Sequence, residues 1–226
     1  MSKGLKIAID GPAAAGKSTI AKITAEKLGY TYIDTGAMYR ALTYKALERN
    51  IDINDGEALG SLLHSTEIML EPLGANGQAV IVDGKDVSEA VRSSQVTGAV
   101  SAVATHNEVR ELMVEKQRIL GNAMGVVMDG RDIGTHVLPD AELKIFMTAS
   151  VDERAQRRYD ENTKRGIESS LEHLKLEISE RDRADSERVV SPLRQAEDAL
   201  LIDTTSMSIE EVAKEISRLA EERLAK

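Results

Sequence analysis

Between Gly11 and Ser18 the chain reads Gly-Pro-Ala-Ala-Ala-Gly-Lys-Ser, and this octapeptide limits the possible folds more than any other stretch. It matches G-x-x-x-x-G-K-[ST], a pattern that gains meaning when a strand precedes it and a helix follows. Both signals are present. Leu5–Ile9 is a short apolar run, and Ile20, Ile23, Thr24, Lys27 and Leu28 recur at helix spacing before Gly29, a good C-terminal stop. Small residues let the backbone wrap a phosphate with its N–H groups turned inward, and the helix adds the positive end of its dipole. Gly11, Pro12, Ala13, Ala14, Ala15, Gly16, Lys17, Ser18 and Thr19 are therefore expected to cradle nucleotide phosphates. Lys17 should reach the β- and γ-phosphates, and the Ser18 hydroxyl should ligate Mg²⁺.

Four further short apolar runs follow: Tyr32–Ile33, Val126–Met128, Leu143–Met147 and Leu200–Ile202. Each is too short for an amphipathic helix, and helical segments separate them, the first near Met38–Arg49. Strands alternating with helices imply an α/β fold with a parallel sheet. Ser150 with Glu153, Ser169 with Glu172 and Ser208 with Glu211 fit the capping box and mark helix starts. Ile209, Val212, Ala213, Ile216, Leu219 and Ala220 form one apolar stripe, and Val109, Leu112, Met113, Ile119 and Leu120 a similar one. Core packing accounts for both. From Thr66 to Val91 the pattern changes to short strands, Glu67–Leu70, Gln78–Val82 and Lys85–Val87, with turn signals at Asn76-Gly77 and Asp83-Gly84. The expected organisation is one domain over residues 1–226, with a small antiparallel β insert at about 64–93 and a short helical lid at about 153–168.

Composition narrows the function. Lys plus Arg is 29 and Asp plus Glu is 38, a net charge of −9, which disfavours non-specific nucleic-acid binding. The absence of cysteine removes disulfides, thiolate metal sites and thiol nucleophiles. No apolar run approaches the ~20 residues of a membrane helix, so a soluble, cytoplasmic protein is expected. His64 and His106 are read as cap or surface residues, because the chemistry below needs no histidine.

A switch GTPase would carry an N/T-K-x-D stretch. Thr163-Lys164-Arg165-Gly166 lacks the aspartate. The size and the insert suit a small-molecule kinase using ATP or GTP with Mg²⁺. Arg154, Arg157 and Arg158 share a helical face, where they could stabilise a transferring phosphoryl group or simply be solvated. Arg131 and Asp132 follow the run Val126–Met128 and sit at a strand's carboxyl end, where α/β sheets place ligands. Arg181, Asp185 and Arg188 share another helical face, as part of a site or as an ion-pair ladder.

Taken together, Ile9-Asp10-Gly11-Pro12, Asp34-Thr35-Gly36-Ala37-Met38-Tyr39-Arg40, Asp129-Gly130-Arg131-Asp132-Ile133-Gly134-Thr135 and Glu180-Arg181-Asp182 resemble the bacterial cytidylate kinases. The resemblance runs from Ile7 to about Glu221. It implies a three-layer P-loop fold around a five-stranded parallel sheet, with the insert as the nucleoside-monophosphate-binding region. It implies transfer of a phosphoryl group from ATP to CMP or dCMP with Mg²⁺. By the same resemblance Thr35, Ser101, Arg110, Asp132 and Arg188 surround the cytosine and its phosphate, Arg181 and Asp185 contact the sugar, and Arg40 and Arg131 hold the acceptor phosphate. Arg154, Arg157 and Arg158 match the lid arginines and, with Lys17 and Arg131, form the catalytic set. A monomer acting on small molecules, without nucleic acid or membrane partners, is expected. A kinase for another monophosphate or a metabolite, a nucleotide-dependent switch and an RNA-binding protein are the competing readings. The last is disfavoured by the negative charge and the 3% aromatic content.

Overall fold

The structure, a computed structural model, describes residues 4–73 and 77–225. Asn76 of the expected Asn76-Gly77 turn lies outside them. Five strands, β1 (Lys6–Asp10), β2 (Thr31–Asp34), β6 (Val126–Gly130), β7 (Leu143–Thr148) and β8 (Leu200–Asp203), form one parallel sheet in the order β2-β6-β1-β7-β8. A second, antiparallel sheet comprises β3 (Ile68–Pro72), β4 (Gln78–Val82) and β5 (Lys85–Asp86). The helices are α1 (Lys17–Leu28), α2 (Thr35–Glu48), α3 (Gly56–Ser65), α4 (Ser94–Val103), α5 (Asn107–Leu120), α6 (Val151–Lys164), α7 (Leu171–Glu187) and α8 (Ile209–Leu224).

Both faces of the parallel sheet are buried along β1, β6 and β7, which explains why those strands read as apolar runs, while edge strand β8 leaves Leu200 and Leu201 exposed. Ile7, Ile9, Tyr32, Val127 and Ile145 point to one layer and pack on Ile20, Ala21, Ala213 and Ile216 of α1 and α8. The alternate residues Ala8, Ile33, Val126 and Met128 point to the other layer, with Val114 of α5. Met38, Leu42, Leu59, Leu63, Val103 and Met113 continue that side as a core between α2, α3, α4 and α5. Because β1 lies centrally, with later strands added on either side, its carboxyl end opens at a topological switch point, the usual ligand position in such sheets.

Several boundaries depart from the sequence reading. α2 starts at Thr35 rather than near Met38, because Asp34 ends β2 and also caps the helix by accepting from the Ala37 N–H. The cap before α7 is Ser170, which accepts from the His173 N–H, rather than Ser169. Only Ser208–Glu211 makes the reciprocal capping box. Ser150 caps α6, but the Glu153 carboxylate turns to Arg157 instead of back to the cap. Ile119 and Ile209 fall outside their stripes and are exposed, at 75% and 51%.

The small sheet is fixed to the core along one seam. Val80, Val82, Val87 and Val91 pack on Ala37 and Ala41 of α2. The Gln78 side chain accepts from the Asp34 N–H at 3.0 Å and donates to the Tyr32 carbonyl. Lys45 pairs with Asp83 at 2.8 Å. On the opposite side α6 and α7 form a hairpin around Ala155, Leu174 and Ile178. Among the described residues no helix is long and apolar enough to cross a membrane.

Candidate active site

The cradle at the end of β1 is shaped by its backbone. Gly11 has φ +147°, and a Cβ there would lie 2.0 Å from the Met147 carbonyl oxygen, so only glycine fits. Ala14 and Gly16 are both left-handed, with φ +58° and +88°, the alternation that turns successive N–H groups toward one point. No side chain caps the N-terminus of α1, which leaves its first N–H groups free for an anion. Lys17 is buried at the start of that helix and donates to the Pro12 carbonyl at 2.7 Å. Burial, then the charge of Arg131, pushes its ammonium down to about 7, while Asp129, Asp10 and Asp185 oppose the shift.

Beside the cradle the Ser18 hydroxyl donates to Asp129 Oδ2 at 2.8 Å, and the Tyr32 hydroxyl donates to Asp129 Oδ1 at 2.7 Å. Burial, then the neighbouring Asp34 carboxylate, raises the Asp129 pKa. A carboxylate crowded by another and facing a cleft is suited to a hard cation. Mg²⁺ is normally held by one or two carboxylates together with phosphates and waters. The Ser18–Asp129 pair fits that ion, and among the described residues no cluster of three or more His, Cys, Asp or Glu offers an all-protein cage. Sequence reasoning named Ser18 but missed Asp129. Its available signal was an acid ending the apolar run Val126–Met128.

The strand-end segment Gly130–Asp132 comes next along the cleft. A Cβ on Gly130 would meet Ile133 Cδ1 at 2.6 Å and Thr35 Oγ1 at 2.7 Å. Thr35 needs that close approach, because its hydroxyl donates to the Asp129 carbonyl at 2.6 Å. Asp10 holds the following turn by accepting from the N–H groups of Ile133 and Gly134 at 2.8 and 2.7 Å. Burial raises the Asp10 pKa to about 7, against those two hydrogen bonds.

Beyond the turn, charges alternate across three elements. Arg110 of α5 donates to Asp132 Oδ2 at 2.6 Å, and Arg188 lies 3.9 Å from Asp132 Oδ1. Arg188 also pairs with Asp185 at 3.2 Å, and Arg131 reaches the same carboxylate at 2.8 Å. Burial works to raise the Asp185 pKa, but Arg131, Arg188 and Arg181 outweigh it and the net direction is down. Arg181 is different. Its Nε is buried without a hydrogen-bond partner among the described residues, and burial followed by the charge of Arg131 lowers its pKa to about 10, with Arg158 and Arg40 adding to the repulsion. Four arginines thus converge near one point, an arrangement that favours a multiply charged anion.

These elements surround one cleft of about 670 Å³. Of the residues named from sequence, Ala13–Thr19, Thr35, Arg40, Ser101, Arg110, Arg131, Asp132, Arg158, Arg181, Asp185 and Arg188 line it. Gly11 and Pro12 shape it from behind. The three arginines of α6 find different partners. Arg158 faces the cleft, but Arg154 donates to the Ala149 and Ala13 carbonyls and to Asp182, and Arg157 to Glu153 and Thr204. Nearby carbonyls and carboxylates, invisible to helical spacing, draw those two away. Tyr39, Asp34, Arg92 and Arg165 also line the cleft and were not assigned roles from sequence.

The sequence model of the cytidylate kinase family, described as Cytidylate kinase, matches residues 7–222. The chain belongs to the cytidylate kinase family. It is 60% identical over 223 residues to the cytidylate kinase of Bacillus subtilis (strain 168), spanning 99% of both chains. It is 60% identical over 224 residues to that of Geobacillus kaustophilus (strain HTA426), spanning 99% of this chain and 100% of the relative. Among solved structures it resembles the shikimate kinase of Acinetobacter baumannii in complex with shikimate, at a TM-score of 0.50 and 15% identity, covering 100% of this chain and 97% of that one. An uncharacterized protein from Eubacterium ventriosum gives a TM-score of 0.52 at 13% identity, covering 97% and 99%. Those two likenesses show the fold alone. Membership of the cytidylate kinase family makes the chain a phosphotransferase.

Proposed function

We propose that the cleft transfers the γ-phosphoryl group of ATP to the phosphate of CMP or dCMP, giving ADP and CDP or dCDP. The observation that carries this reading is Asp132, buried between Arg110 and Arg188 at the far end of the same cleft that begins with the phosphate cradle. Cytosine offers an N4 amino donor beside N3 and O2 acceptors, and a carboxylate flanked by guanidiniums, in a cleft also lined by Ser101 and Thr35, is the complementary pattern. Uracil, with a carbonyl at C4, would set an acceptor against Asp132. A site that leaves its own polar groups unpaired rejects an analogue by factors up to about 10⁴–10⁵.

Position in the cleft supports the remaining roles. The N–H groups of Ala13–Thr19 and the Lys17 ammonium hold the donor phosphates, and Ser18 and Asp129 would hold Mg²⁺. The bound ion would neutralise charge on the β- and γ-phosphates. Arg40, Arg131, Arg158 and Arg181 gather the acceptor phosphate and the moving phosphoryl group. Asp185 orients Arg131 and Arg188 and faces the sugar. No strong general base is required, because a phosphate monoester with a second pKa of ~6 is already largely a dianion at pH 7. The site's work is to align two polyanions in line and to stabilise the spreading charge. Arg154 braces the cradle against α7, and α6 with the segment to about residue 168 acts as the lid. The antiparallel sheet, at about 64–93, serves as the acceptor-side region.

Arg131→Ala tests the placement of the acceptor phosphate. Its kcat should fall by about 10²–10³-fold, as for loss of a preorganised charge donor, while ATP affinity measured by calorimetry stays near wild type. Normal turnover would remove Arg131 from the acceptor site.

A further inference from the structure

Asp129 is buried in β6 with both carboxylate oxygens engaged: Oδ2 by Ser18 at 2.8 Å and Oδ1 by Tyr32 at 2.7 Å. Tyr32 comes from β2, the strand paired with β6, and does not line the cleft; its ring packs in the core behind it. We infer that Tyr32 is a positioning residue for the metal, acting through Asp129 to aim Ser18. This rests on the reading that Ser18 and Asp129 hold Mg²⁺.

The logic is one of lone pairs and protons. A carboxylate has only acceptors, so with Oδ1 satisfied by the Tyr32 O–H its plane is fixed and Oδ2 points to Ser18. Ser18 then commits its one proton to Oδ2, which leaves its oxygen lone pairs facing the cleft, where a cation needs them. Both hydrogen bonds are short, at 2.8 and 2.7 Å. Without the tyrosine hydroxyl, Oδ1 is a buried carboxylate oxygen lacking a donor, crowded by the Asp34 carboxylate one strand away. The carboxylate is then free to rotate and take the Ser18 hydroxyl with it. Outer-sphere partners of this kind alter metal affinity by about 10–100-fold when removed. The rest of Tyr32 would be undisturbed by loss of the hydroxyl, since its ring packs with Val127 and Ala25 and its carbonyl accepts from Gln78.

The test is Mn²⁺ binding to the protein–ADP complex, followed by the free-ion EPR signal with no turnover. In Tyr32→Phe the Mn²⁺ dissociation constant should rise by about tenfold or more, while ADP affinity in EDTA stays at the wild-type value. An unchanged Mn²⁺ constant overturns the inference. So does equal weakening with and without metal, which would mean a merely structural role. Asp129→Asn separates the two readings: if it leaves Mn²⁺ binding intact, the metal site itself is misplaced, whereas loss in Asp129→Asn alone sinks only Tyr32. Should Tyr32→Phe not fold, site-specific 3-fluorotyrosine at position 32 keeps the hydroxyl. Its ¹⁹F resonance should shift when Mg²⁺ joins the ADP complex, and an unmoved resonance contradicts the coupling.

Discussion

The two ends of the cleft handle negative charge by different means. The donor end relies on backbone: left-handed turns at Ala14 and Gly16, the uncapped start of α1 and one lysine resting on the Pro12 carbonyl. The acceptor end relies on side chains, with Arg110, Asp132, Arg188, Asp185 and Arg131 interlocked across α5, the end of β6 and α7. A backbone cradle reads phosphate and little else. A lattice of buried charges reads the shape and hydrogen-bonding pattern of what completes it, and removal of one member leaves the others unpaired. In the proposed reading, nucleotide chemistry lies at one end and acceptor choice at the other.

That contrast breaks if a lesion at the donor end changes acceptor preference. Lys17→Ala should lower kcat by about 10³-fold or more, by the same factor for CMP and dCMP, with no change in their ratio. Acceptor-resolved steady-state kinetics would check it. Asp132→Asn should do the reverse. Its kcat/KM for CMP should fall by about 10²-fold while UMP is affected less, so the preference narrows. Chemical denaturation should also find it destabilised by about 3 kcal/mol, because Arg110 and Arg188 lose a buried partner.

Asp10 joins the two ends, since it ends the strand that feeds the cradle and grips the turn that carries Asp132. Its pKa rises from 3.8 in the unfolded chain to about 7 on folding, chiefly through burial. The folded state therefore holds the extra proton between those values. The stability contributed by this group is fully present below pH 3.8 and is lost as pH rises through about 7. Asp10→Asn removes that titration. The stability of the variant relative to wild type should increase from pH 4.5 to pH 7.5, by up to a few kcal/mol. Urea unfolding at the two pH values measures it, and a flat difference would contradict the buried, proton-binding carboxyl.

The same contrast explains what was legible in the sequence. The cradle is a contiguous motif, and the inner strands are apolar because both sheet faces are covered there, so both could be read directly. Arg131 and Asp132 were readable as a strand-end pair. The partners that make the acceptor end work lie far apart in the chain, and helical spacing could place Arg181, Asp185 and Arg188 on one face without showing which charge each would meet. Arg157 turns to Thr204, a residue 47 positions away, and spacing carries no trace of that. Asp129 was overlooked for a related reason. Its role comes from Ser18 and Tyr32 on neighbouring elements, while its own neighbours in sequence mark it only as the end of a strand. Ser169 and Ser170 differ by one residue, and the choice between them depends on where the chain enters α7.

The most direct test of the central claim is a coupled assay of ADP formation with Mg²⁺-ATP against CMP, dCMP, UMP, AMP, GMP and dTMP. Strong stimulation by CMP and dCMP, with the others far behind, is the predicted result. Stimulation led by any other acceptor would contradict the assignment of Asp132, Arg110 and Arg188 to cytosine, even with the phosphate cradle intact.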